Sequence, residues 1–267
     1  MTLSLNDLLA KPSSGRSRAV VLDSHDYAQS VFLQGKPVPW QEPMAYANFF
    51  GQVQGVLKSD LALLSLDRFY AHRVSADPML QAAMGAKSRT GYALRTLLDD
   101  PETTEFVIDL ATVFSQTQRV PVVLQIPSPM QWLVRTHPFS GSVNASGLDA
   151  DNAENASIYI ADWLRGFAGL PLIAVLLDDR GSASGAVTVP LSTYSPLANV
   201  TEHYLWALGQ RHDDRVELQG SQLSGAVIGP DFWSADTGAL PEGDFLLGEV
   251  PREAIPEQVL SRITALM

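Results

Sequence analysis

A single α/β domain of the (β/α)₈ barrel type is the fold this sequence predicts, and three observations predict it. Residues 19–22, 61–66, 122–126 and 172–177 are almost continuously apolar instead of alternating, as strands covered on both faces of a parallel sheet are. Helical patterns fall between these runs, giving the β-α-β-α order of an α/β fold. The length of 267 residues, 46% of them hydrophobic, suits one barrel of roughly 250 residues. About eight candidate strands favour a closed barrel over an open doubly wound sheet. No G-x-G-x-x-G follows any strand, which argues against a dinucleotide fold.

The elements follow in order. Residues 1–17 read as an N-terminal extension to a barrel spanning 1–267. Ala19 to Leu22 form the first strand and open into Asp23-Ser24-His25-Asp26. Met44 to Lys58 space Met44, Ala47, Phe50, Val53, Val56 and Leu57 at helical intervals, with Trp40, Tyr46, Phe49 and Phe50 expected as core. Leu61 to Leu66 form the second strand, ending in Asp67-Arg68. Asp100-Pro101 marks a capped helix start, and the helix runs to about Gln118. Val122 to Ile126 are the third strand. A long loop, 136–149, precedes a helix whose start is read from Asp151 and Glu154 as a capping box and whose stripe is Ile160, Trp163, Leu164 and Phe167. Leu172 to Leu177 are the fourth strand, closing on Asp178-Asp179-Arg180.

The last third is tighter. Val200 to Leu208, Val216 to Leu218, Ala226 to Ile228 and Phe245 to Leu247 are candidate strands, with little room for full helices between some of them. A final helix begins near Pro256 and turns Val259, Ile263 and Leu266 inward.

Charge and composition exclude several functions. With 18 basic and 29 acidic side chains the net charge is −11. A chain without a basic patch lacks the phosphate-neutralising surface that nucleic acid requires. No run reaches the ~18 apolar residues of a membrane span, and the first residues carry no basic, apolar leader, so a cytoplasmic protein is expected. The absence of cysteine removes thiolate nucleophiles and the softest zinc ligands. The partner expected is a small molecule, with a homo-oligomer or an enzyme-subunit role left open.

In barrels of this type the site is built beyond the C-terminal ends of the strands. The residues there are polar: Asp23, His25 and Asp26 after the first strand, Asp67 and Arg68 after the second. The third brings Gln125 and Ser128, with Trp132 and Arg135 further on, and the fourth brings Asp178, Asp179 and Arg180. Carboxylates can bind amines or move protons, and guanidinium groups grip carboxylates. Asp178, Asp179 and His25 are the expected catalytic groups; Asp23, Asp67, Arg68, Gln125, Ser128, Trp132 and Arg135 are the expected substrate contacts. The competing reading makes the Asp and Ser residues helix caps and Asp67-Arg68 a structural ion pair. No H-x-x-x-H pair occurs, so neither a metal nor a cofactor is expected.

The stretch Val122 to Pro129 (VVLQIPSP) resembles the strand and proline turn of the catalytic barrel of cobalamin-independent methionine synthase and of its uroporphyrinogen decarboxylase-like relatives. Tyr159 to Asp179 resembles their helix–strand unit ending in Asp-Glu-Pro, and Phe245 to Leu266 resembles their last strand, loop and helix. These segments cover about a quarter of the chain. The resemblance implies a methyl-transfer barrel in which Asp178 and Asp179 hold the substrate's polar head and Ser128 lines the pocket. The family's zinc rests on a His-x-Cys pair, a Glu and a later Cys. Here the nearest match is His203 with Glu217, and both cysteine positions are empty.

Three functions follow as expectations. The first is one-carbon transfer without the family's zinc site, with Asp178 or Asp179 as a base whose pKa its acidic neighbour raises. The second is a cofactor-free decarboxylase or lyase acting on a small organic acid. The third is a catalytically silent binding barrel or enzyme subunit.

Overall fold

The computed structural model describes residues 4–141, 145–181, 187–234 and 239–266. Its eight strands form one nearly closed barrel in chain order, as the apolar runs predict. A short helix α1 (Leu5–Ala10) leads to β1 (Ala19–Asp23), followed by α2 (His25–Val31) and α3 (Pro43–Leu57). Next come β2 (Ala62–Ser65) and four helices, α4 (Asp67–Ala76), α5 (Pro78–Met84), α6 (Tyr92–Leu98) and α7 (Pro101–Thr117). Then β3 (Val122–Pro127), α8 (Pro129–Thr136), α9 (Ala150–Leu164) and β4 (Leu172–Asp178) complete the regular half. The rest is α10 (Ser195–His203), β5 (Ala207–Arg211), β6 (Arg215–Leu218), β7 (Ser224–Ile228), α11 (Asp231–Ser234), β8 (Phe245–Glu249) and α12 (Pro256–Ala265).

The sheet is mixed. Strands β1 to β5, β7 and β8 run parallel, but β6 pairs antiparallel with both neighbours. A parallel crossover needs a dozen or more residues, and the spacers on either side of β6 are too short, so the chain turns back on itself. This is where the lack of room for helices takes effect.

Two further expectations are corrected. Val200 to Leu208 is the end of α10 and the start of β5, not one strand. Ser195-Pro196 opens a helix, its Leu197, Val200 and Thr201 are buried at i, i+3 and i+4, and the exposed Leu205, at φ 59°, reverses the chain. The cap of α9 is Asp149 with Asn152, not Asp151 with Glu154: Asp149 accepts from the Asn152 N–H and the Asn152 side chain returns the bond. The loop at 136–149 holds two 3₁₀ turns, His137–Ser140 and Ala145–Gly147, and its residues 142–144 lie outside the described ones.

The core has two shells. Outward residues of the strands pack on the helices in a large apolar layer that includes Trp40, Tyr46, Phe49 and Phe50. Inward residues Ala19, Val21, Leu61, Val123, Ala174, Leu176, Val216, Phe245 and Leu247 fill the barrel. Leu5 and Leu9 of α1 join that inner cluster, so part of the N-terminal extension is a plug, packed under the barrel. Phe245 fits because β7 offers Gly225 opposite it, where a Cβ would stand 2.4 Å from the ring. The β1–β8 seam is fully paired. The β1–β2 seam has a single bridge, Val21 to Leu61, and side chains complete it: the Asp60 carboxylate accepts from Val20 N–H at 2.8 Å and Ser59 Oγ from Leu22 N–H at 3.0 Å.

Candidate functional site

Strand side chains alternate between the two faces, so the phase of each inner apolar row decides what stands at its upper end. On β1 the inner row Ala19, Val21 continues to Asp23, on β4 Ala174, Leu176 continues to Asp178, and on β8 Phe245, Leu247 continues to Glu249. Register aligns these ends: Asp23 lies beside Glu249, Ser65 beside Gln125, and Asp178 beside Arg211. Six inward side chains, Asp23, Ser65, Gln125, Asp178, Arg211 and Glu249, therefore form a polar ring above the apolar interior, at the C-terminal mouth.

Three guanidinium groups, Arg211 in this ring and Arg180 and Arg68 from the segments above it, pair with the carboxylates. Arg211, fully buried, donates to Asp23 at 3.1 Å, to Gln125 at 3.2 Å and to Glu249 at 3.0 Å. Arg180 grips Asp178 with two hydrogen bonds, at 2.9 and 2.7 Å, and also reaches Glu249. Arg68 grips Asp26 through both oxygens, at 2.8 and 2.9 Å, and lies 3.8 Å from Glu249 and 3.9 Å from Asp23. Asp67 accepts from Ser65 at 2.7 Å, and Arg135 stands 3.6 Å from it at the rim.

These contacts set the protonation states. Burial penalises the charged forms of Asp23 and Asp178, but the arginines outweigh it, Arg68 and Arg211 at Asp23 and Arg180 at Asp178, so both carboxyls titrate below their ordinary value. Asp26 is held well below it by a hydrogen bond from His25 and by Arg68. The expectation that an acidic neighbour raises Asp178 is corrected: its nearest charge is Arg180.

Asp179 points the other way. It follows outward-facing Leu177, beneath α8, where its carboxylate accepts from Ser128 Oγ and lies 4.0 Å from His212 Nδ1. Burial pushes its carboxyl up, against hydrogen bonds from Ser128 and Gln210, and Asp178 is only a minor contributor. Ser128 is also the N-cap of α8, accepting from Gln131 N–H at 3.2 Å, so the capping role holds for it. Asp178 and Asp179 thus do not meet one ligand from the same side of the strand.

Two other expected residues need placing. Trp132 does not face the mouth: it is buried in the helical layer, its ring 5.3 Å from Tyr70 and 5.6 Å from Trp163. His25 is at the mouth, stacked on Trp40 at 5.2 Å with Nδ1 3.4 Å from Asp26. Its buried Nε2 has no hydrogen-bond partner. A cavity of about 20 Å³ lies beside it between the strand ends and the helical layer, lined by Asp23, Ser24 and Ser65 on one side and by Phe50, Val53 and Phe114 on the other, enough for one water molecule. The structure brings Asp23, His25, Asp67, Arg68, Gln125, Arg135 and Asp178 together and adds Ser65, Arg211 and Glu249, which sequence reasoning missed.

His203 and Glu217 do not form a pair of ligands. His203 ends α10, before β5 enters the barrel from below, whereas Glu217 is paired with Gln210 near the upper end of β5. Among the described residues no group of three or more His, Asp or Glu side chains is arranged to hold a metal ion, and no helix is long and apolar enough to cross a membrane. No family model, curated protein or solved structure matches the chain.

Proposed function

We propose that this barrel is an enzyme acting on a small organic acid at its C-terminal mouth, in the manner of a cofactor-free decarboxylase or lyase. The observation that carries this reading is the convergence of Arg68, Arg180 and Arg211 on one point of the mouth, since guanidinium groups so arranged recognise carboxylates with directed hydrogen bonds. Asp23, Asp26 and Asp178 hold the arginines in place and stay ionised. Of the three groups expected to be catalytic, His25 is best situated to move a proton, because its Nε2 is uncommitted and the carboxylate of Asp26 supports its other nitrogen.

One-carbon transfer is the second reading. It rests on the resemblance of Val122 to Pro129 and on the meeting of Ser128 with Asp179, and it ranks second because that pair faces away from the arginines.

A thermal-shift screen of organic acids, amino acids, methyl donors and thiols tests the choice. Organic acids should stabilise the wild-type chain, by ~2.7 kcal/mol at a hundred times the dissociation constant, and Arg68→Gln should lose the response. Stabilisation by methyl donors or thiols with organic acids silent would reverse the ranking. An acid that binds but is never turned over would make the barrel a binding protein.

A further inference from the structure

The mouth holds more carboxylates than its three converging arginines need. Arg68 has Asp26 through two hydrogen bonds, Arg180 has Asp178 through two, and Arg211 has Asp23 together with Gln125. Asp67 lies 3.5 Å from Arg68 and 3.6 Å from Arg135 at the rim. Glu249 is the fifth carboxylate, and it differs from the other four. Its Oε2 touches Arg180 and Arg211 and its Oε1 faces Arg68 at 3.8 Å, so it is shared by all three guanidinium groups and is the dedicated partner of none.

Its surroundings differ as well. Asp23 and Asp178 are almost wholly buried, at 2% and 4% side-chain exposure, and Asp26, though 41% exposed, is held by Arg68 through both oxygens, whereas the Glu249 side chain is 35% exposed and has no such paired grip. It comes from the last residue of β8, ahead of the Val250-Pro251 connection, on a side chain with three rotatable bonds. Turning outward would exchange its contacts with the arginines for hydration of its carboxylate, while each arginine kept its own partner. Without Glu249, the four carboxylates Asp23, Asp26, Asp67 and Asp178 balance the four guanidinium groups of Arg68, Arg135, Arg180 and Arg211, and the point of convergence is left free for an incoming anion.

The geometry points to Glu249 as a built-in stand-in for the substrate's carboxylate: in the ligand-free mouth it occupies the subsite, and a carboxylate of the substrate binds by displacing it. The inference rests on the mouth being the ligand site, and it deepens that reading by naming the subsite, its chemistry and the group that guards it. A stand-in of this kind weakens the binding of every carboxylate by the cost of its own departure, and it keeps the arginines aligned when no ligand is present.

The test uses acetate, the smallest probe of the subsite, and succinate, with sodium chloride at matched ionic strength as the control. Calorimetric titration of the full chain compares wild type, Glu249→Ala and Glu249→Gln. Glu249→Ala should bind acetate with a dissociation constant at least tenfold lower than wild type, and Arg180→Gln added to it should abolish the gain. Should the alanine variant fold poorly, the nearly isosteric Glu249→Gln carries the comparison, with a gain of at least threefold expected. If organic acids bind the wild type and neither variant binds acetate more tightly, the stand-in role is overturned and the mouth reading survives. If acids bind neither the wild type nor the variants, both are overturned.

Discussion

Asp178 and Asp179 are neighbours in sequence with opposite fates. The first turns into the barrel, meets Arg180 and Arg211 and is held ionised; the second turns out beneath α8, meets Ser128 and has its pKa raised by burial. One residue of register separates a charge held down by the arginines of the mouth from a carboxyl whose pKa burial raises. The lesson is that polar residues after a barrel strand cannot be pooled into one site: the phase of the strand divides them between the mouth and the helical layer.

The largest effect that would sharpen this comparison comes from the inner side. Arg211→Met removes a fully buried guanidinium and leaves buried Asp23 without its hydrogen-bonded partner, with Arg68 only at 3.9 Å, which should cost about 3–5 kcal/mol in chemical denaturation. A loss below about 1 kcal/mol would mean that the ring is not a coupled unit.

Asp178→Asn comes next. It keeps the shape and removes the partner of Arg180, at an expected cost of about 2 kcal/mol at pH 7. Because the folded-state pKa lies below the ordinary 3.8, the contribution of this carboxylate is present above pH 3.8 and is lost as the pH falls through the folded value. The gap between wild type and variant should therefore close in acid. A gap that stays constant with pH would assign the loss to something other than charge.

The smallest effect belongs to the outer neighbour and has a pH dependence of opposite sense. The folded-state pKa of Asp179 lies above 3.8, so what its protonated form contributes is present below pH 3.8 and lost as the pH rises through the folded value. An asparagine in place of Asp179 still accepts from Ser128 and never has to ionise in a buried place. Asp179→Asn should thus lie within about 1 kcal/mol of wild type and gain on it as the pH rises. A loss equal to that of Asp178→Asn would remove the distinction between the faces.

Much of the fold was legible because the informative residues are local. Continuous apolar runs mark β1 to β4, and Asp100-Pro101 marks the start of α7. The last third was harder: β5 reads Ala-Leu-Gly-Gln-Arg, with only two apolar side chains larger than glycine, and the neighbouring Val200 belongs to a helix. Cutting β5 at Leu208 and β8 at Leu247 concealed Arg211 and Glu249, although each lies two residues beyond an inward position, Gly209 and Leu247 respectively. Extending β5 by three residues and β8 by two would have reached both. Trp132 was misplaced for a different reason. Its place just after the proline turn fixes the helix it belongs to, whereas the direction of its ring depends on Tyr70 and Trp163, which are distant in sequence.

The most direct test of the account is a ¹³C NMR titration of the aspartate side-chain carboxyl carbons in the wild-type chain. Asp23 and Asp178 should titrate below 3.8 and Asp179 above it, and addition of an organic acid that binds should perturb Glu249 more strongly than Asp179. An Asp178 that titrates above Asp179, or a ligand that shifts Asp179 and leaves Glu249 unmoved, would contradict the arginine-held mouth.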